Sequence, residues 1–179
     1  MIIANPTEIS LCIVQGGYSS ILNHHWRNLS QRFALDLVGL DSLGRRAKWI
    51  HPLLMEDYFC FGVDVMSPIS GVVVLARDGC ADQEIGSLDV DNPTGNCVVI
   101  SDGHGRQLIF AHLLGASVRV RTGDPVRSGD VIGRIGNSGR STEPHLHIHA
   151  QRMDVHGQIK GIKLQIGRGL MIRNATIKK

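Results

Sequence analysis

The chain has 179 residues, 42% of them apolar, with 19 basic and 16 acidic side chains and a formal net charge of +3. That apolar share excludes global disorder, no apolar run reaches membrane-spanning length, and the charge excess is too small to name an anionic partner. With 21 glycines and only 4% aromatic residues, the composition favours one domain of short strands and tight turns over long packed helices.

Ile9 to Val14 is the first apolar segment, and Gly16-Gly17 closes it. Met1 to Val14 has no basic n-region and carries Glu8, a poor match to a secretory signal peptide. Asn23-His24-His25-Trp26 follows, with a short helix expected near Leu29. In Arg32 to Val38, the residues Phe33, Leu35 and Leu37 alternate with Arg32, Ala34 and Asp36. This period of two predicts a strand whose leucine face is in the core and whose Asp36 lies on the opposite, more open face. Asp41 to Leu54 reads as a charged connector, and Ile69 to Ala76 as a strand opened by Pro68 and Gly71. Asp78 to Gly95 is a polar loop with five acidic residues whose spacing matches no calcium motif, so a solvated loop is expected.

Cys97 to Ser101 and Gln107 to His112 flank Asp102-Gly103-His104-Gly105, a strong hairpin signal. Val118 to Val120 and Val131 to Ile135 are expected as further short strands. Arg119, Arg121 and Arg127 then share a solvated face; without an aromatic platform they give no support to nucleic-acid binding. The basic stretch from Gly157 to Lys179 is expected to cover a sheet edge or fray. Cys12, Cys60, Cys80 and Cys97 form no CxxC pair, which argues against a cysteine zinc site, and Cys97 sits in an apolar run as a core residue.

The most informative stretch is Ser141-Thr142-Glu143-Pro144-His145-Leu146-His147-Ile148-His149. On a strand, His145, His147 and His149 share one face, and imidazoles so arranged can supply part of a zinc site. Asp36 offers a carboxylate ligand, His24 or His25 a further imidazole, and His112 a base outside the ligand set.

Together these pieces resemble the lysostaphin-type, or LytM-type, zinc metallopeptidases. Gly62 to Val73 looks like the family's G-x-x-V-x-A-P-x-x-G-x-V segment, and Phe110-Ala111-His112-Leu113 like its AHL motif. Val118 to Gly139 is similar to its glycine-punctuated segment, and Ser141 to His147 to its S-T-x-P-H-L-H ending. The resemblance spans roughly residues 12 to 152 of a single domain covering 1–179. It implies an all-β fold of two antiparallel sheets, one of them the floor of a groove with a central zinc. It implies Zn2+ held by His25, Asp36 and His147, with His112 and His145 as catalytic imidazoles. The family's usual H-x-x-x-D spacing would put a ligand at position 32, which is Arg32. Asn23-His24-His25 with Gln31 to Asp36 instead resembles a variant that favours His25 over His24. His149 stands where the family often has Glu and is expected to face the groove or solvent. The implied activity is an endopeptidase acting on peptidoglycan peptides at the bacterial cell wall, in the periplasm or outside the cell. The alternative is a non-catalytic module that binds wall or regulates another wall hydrolase through a protein partner.

Overall fold

Alternating apolar and polar residues become thirteen strands in the computed structural model, which describes residues 1–179. In chain order they are β1 (Ile2–Ile3), β2 (Ser10–Gln15), β3 (Leu35–Leu40), β4 (Asp64–Met66), β5 (Gly71–Arg77), β6 (Asn96–Ser101) and β7 (Arg106–Leu113). Then come β8 (Pro125–Val126), β9 (Val131–Arg134), β10 (Leu146–Met153), β11 (Ile159–Ile162), β12 (Gln165–Ile166) and β13 (Thr176–Ile177). Nine strands form one antiparallel sheet in the order β13-β2-β3-β10-β7-β6-β5-β8, with β11 paired to the far end of β10. β4 and β9 make a second, two-stranded antiparallel sheet, and β1 and β12 a short parallel pair. The all-β architecture with two antiparallel sheets is therefore the one adopted, with very unequal sheets.

One face of the large sheet carries the core. Leu11 and Ile13 of β2, Leu35 and Leu37 of β3, Leu108 and Phe110 of β7, and Leu146 and Ile148 of β10 are all essentially buried. Each such side chain contributes roughly 1.5–3 kcal/mol on burial, enough to fix the register, since a one-residue slip would turn the whole set to the other face. That opposite face of β2, β3, β10 and β7 is the one left to carry polar groups.

Several local expectations change. No helix forms near Leu29; a 3-10 turn spans His24–Arg27 instead, too short to expose an apolar stripe. Val118 to Val120 is not a strand, and Arg119 shares the exposed Asp64 carboxylate with Arg134. Asp78 and Asp82 in the acidic loop turn to backbone: Asp78 accepts from the N–H groups of Ala116 and Val118, and Asp82 from that of Gly115. The C-terminal stretch is pinned to the sheet by β11 and β13. The connector forms a projecting loop closed by an Ala47–Tyr58 bridge, with Trp49, Ile50, Leu53 and Leu54 exposed. All four cysteines are free thiols, and burial pushes Cys60 up to about 11. No helix is long and apolar enough to cross a membrane.

Candidate metal centre and groove

The polar face of the sheet gathers the chemistry because three strands lie side by side. Asp36 of β3 pairs across to His147 of β10, and His147 pairs on its other side with Ala111 of β7. Residues directly opposite in an antiparallel pair point to the same face, so Asp36 and His147 stand together above the core. β2 adds Gln15 opposite Asp36, through a register shift between Ile13 and Gln15. That bulge inserts Val14 as an extra residue and brings Gln15 onto the polar face.

His25 arrives from outside the sheet. Asn23 is fully buried; its side-chain oxygen accepts the His25 N–H at 3.0 Å, while its Nδ2 donates to the carbonyl of Ala34 at 3.1 Å. One amide thus caps the 3-10 turn and ties it to the entry of β3. His25 Nε2 is then 3.0 Å from Asp36 Oδ2, and His147 Nδ1 is 2.8 Å from Asp36 Oδ1. His24 stands farther off, its Nε2 3.9 Å from Asp36 Oδ2 and its side chain 60% exposed. His24, His25 and Asp36 nonetheless bring one donor atom each within 4.8 Å of one another.

Asp36 is not on an open face. It is 4% exposed, because His25 and the loop before β10 cover it. Burial opposes its charge, but hydrogen bonds with His147 and His25 and the field of His145 hold its carboxyl well below the usual range. Burial pushes the imidazoles of His112, His147 and His149 down, His149 to about 3. Asp36 makes ion-pair contacts only with imidazoles, never with lysine or arginine. A buried anion whose only charged-group neighbours are imidazoles suits a bound cation.

His112 reaches this face by an unusual route. Strand alternation would send it to the core, since Phe110 is buried there and Ala111 lies opposite His147. Instead His112 has φ 60, a left-handed backbone for a non-glycine residue. The inversion turns its ring into the groove and puts Leu113 in the core with no exposure. His112 Nδ1 donates to the Ser138 carbonyl at 2.8 Å, and His145 Nδ1 donates to the Glu143 carbonyl at 2.9 Å. Both rings therefore turn Nε2, with its lone pair, towards the groove. Their centroids are 4.8 Å apart.

His149 faces neither groove nor solvent. It is 5% exposed and lies behind His147, whose Nε2 is 3.0 Å from His149 Nδ1. Its position two residues along β10 keeps it on the same face, where it is buried against His147 and does not line the groove. Gly136 and Gly139 also act inside the protein. A Cβ at Gly139 would overlap the Gly95 backbone and one at Gly136 the Leu114 backbone, so both let loops pack together.

Over these residues lies an open cleft of about 890 Å³. Its walls include Gln15, Arg46, Arg140, Glu143 and Arg173. Sequence reasoning missed Gln15 and Arg173, because no local pattern shows that the C-terminal segment returns beside β2.

Fold and donor set define an all-β protein with a candidate metal centre on the floor of a groove. The chain belongs to peptidase family M23, whose profile matches residues 57–159. His25 and Asp36 lie upstream of that match. The DD-carboxypeptidase/endopeptidase Mpg of Neisseria meningitidis serogroup B is 34% identical over 109 residues, 61% of this chain and 23% of that protein. The peptidoglycan DD-endopeptidase ShyA of Vibrio cholerae is 31% identical over 118 residues, 65% of this chain and 26% of that protein. The chain thus spans about a quarter of the length of these curated relatives. The catalytic domain of lysostaphin from Staphylococcus simulans shares the fold, with a TM-score of 0.50 at 18% identity, over 87% of this chain and 88% of that one.

Proposed function

We propose that the protein is a zinc endopeptidase that hydrolyses peptide bonds in the cross-links or stem peptides of bacterial peptidoglycan, acting at the cell wall. The observation that carries this reading is one buried carboxylate, Asp36, in contact with His25 and His147, beneath two imidazoles whose free Nε2 atoms face the same groove. Family membership and the activities named for Mpg and ShyA support the substrate class.

His25, Asp36 and His147 are the ligands in this reading, a two-histidine, one-carboxylate set of the kind that holds catalytic zinc. When bound, zinc supplies Lewis acidity, polarising a carbonyl and lowering the pKa of water towards roughly 7. The protein's own residues do the rest. His112 Nε2 and His145 Nε2 stand on the groove side, where one of them takes a proton from the attacking water. Either ring then stabilises charge on the former carbonyl oxygen, and the proton passes to the leaving amine. Ser138 and Glu143 hold both rings in the tautomer this needs.

His149 acts on His147. With a metal held at Nδ1 in place of the bond to Asp36, the His147 proton would sit on Nε2, where His149 Nδ1, 3.0 Å away, would accept it. His149 in turn bonds Gln151, whose Nε2 donates to Gln107 Oε1 at 3.0 Å. His149→Leu keeps the volume and removes the acceptor. Zinc affinity, measured by competition with a chelating dye, is expected to fall roughly 10–100-fold. An unchanged affinity would leave His149 as packing only.

Mass spectrometry of purified peptidoglycan incubated with zinc-loaded protein tests the function. New peptide fragments from the wild type, absent with His112→Ala, are expected, and their masses name the bond. Identical digests from both, with one zinc bound per chain, would instead assign a binding or regulatory module.

A further inference from the structure

Three guanidinium groups line the groove, and two have no carboxylate partner. Arg46 faces Glu143 at 3.6 Å, whereas Arg140 and Arg173 form no ion pair. Arg173 is the more constrained of the two. Its backbone N–H donates to Gly16 O at 3.3 Å, and that of Asn174 to Ile13 O at 2.8 Å, which docks the segment before β13 along β2. Its Nη2 donates to Gln15 Oε1 at 2.8 Å. Gln15 is the cross-strand partner of Asp36, so the guanidinium is held one strand away from the candidate metal centre. Its Nε is buried without any hydrogen-bond partner.

A guanidinium carries five donors in a fixed fork, and this one has a single partner. A cation packed into a groove wall, oriented by a neutral amide and lacking an anion, is preorganised for one. No acidic side chain of the chain fills that role: Asp36 is engaged by imidazoles and Glu143 faces Arg46. We infer that Arg173, oriented by Gln15, binds a free carboxylate of the substrate peptide on the β2 side of the scissile bond. The enzyme then prefers acidic stem-derived peptides over neutral bridges. This specificity rests on the peptidase reading above.

The test uses a cross-linked peptide dimer released from peptidoglycan, with its carboxylates either free or converted to carboxamides. The ratio of kcat/KM for the acid over the amide dimer is measured for the zinc-loaded wild type, Arg173→Lys and Arg173→Gln. The wild type is expected to favour the acid dimer about 10- to 100-fold, the worth of hydrogen bonds to a charged group. Arg173→Gln should bring the ratio close to one through KM, and Arg173→Lys should keep part of it. Zinc content and circular dichroism, measured on all three, report any loss of fold. A second arm measures binding of both dimers to zinc-loaded His112→Ala protein, with and without Arg173→Gln. A ratio that Arg173→Gln leaves unchanged, or equal losses on both dimers, overturns the carboxylate site. If the wild type cleaves neither dimer, the peptidase reading fails, and the binding arm still decides Arg173: equal affinity for acid and amide rejects it.

Discussion

Asp36→Asn is expected to abolish zinc binding and, with it, turnover. The substitution keeps the shape of the side chain, so the sheet has no steric reason to change. It removes the only buried carboxylate at the site, the group that both His25 and His147 contact. Losing an outer partner of a metal ligand costs roughly 10–100-fold in affinity; losing the one anionic member of the proposed ligand set should exceed that. Metal content by atomic emission should drop from one zinc per chain to a trace. The thermal midpoint supplies an independent check, because a ligand that binds only the folded state raises it. Wild type should gain stability on adding zinc, while Asp36→Asn should gain none. A variant that still binds one zinc tightly would move the site to other donors, His24 first among them, since it shares the cluster with His25.

His112→Ala is expected to separate binding from chemistry. His112 contacts the Ser138 carbonyl and lies beside His145 with the rings tilted, and it makes no contact with Asp36 within ion-pair distance. Zinc content should therefore stay at the wild-type level while kcat falls by about 10²–10⁴, the range for a positioned acid or base. Position 112 offers a second comparison. With φ 60, alanine is strained there and glycine is not. His112→Gly should unfold at higher denaturant than His112→Ala, by about 1 kcal/mol, although both are equally inactive. Equal stability would mean that the backbone relaxes once the imidazole is gone.

Much of the site was legible because strands repeat every two residues. His145 and His147 share a face by that rule, and the leucines around Asp36 identified its strand and its side. Register did the rest, pairing Asp36 with His147. The failures share a physical cause: they depend on a departure from alternation or on distant chain. Nothing in Phe110-Ala111-His112-Leu113 announces a left-handed residue, since histidine, although enriched among non-glycine residues there, still adopts positive φ only rarely. The bulge at Val14 is likewise silent in sequence, yet it aims Gln15. His149 keeps the expected face but is buried, which alternation cannot reveal. Arg173 reaches the groove only because β13 returns to pair with β2, across more than 150 residues. Val118 to Val120 shows the opposite error, two valines flanking Arg119 left outside any ladder because the single backbone bond from Arg119 to Ile132 is not continued.

The pairing of β3 with β10 also dictates an order of events. Asp36 and His147 are 111 residues apart in sequence, while His25 and Asp36 are separated by 11. Closing so long a loop is slow compared with forming hairpins such as β6–β7. On the proposed ligand set, a nascent or half-folded chain can offer an ion His25 and Asp36 but not His147. Tight capture should therefore be among the last steps of folding. An optical signal from a cobalt stand-in would then time completion of the whole sheet, and the ion would act as a witness to folding rather than its seed.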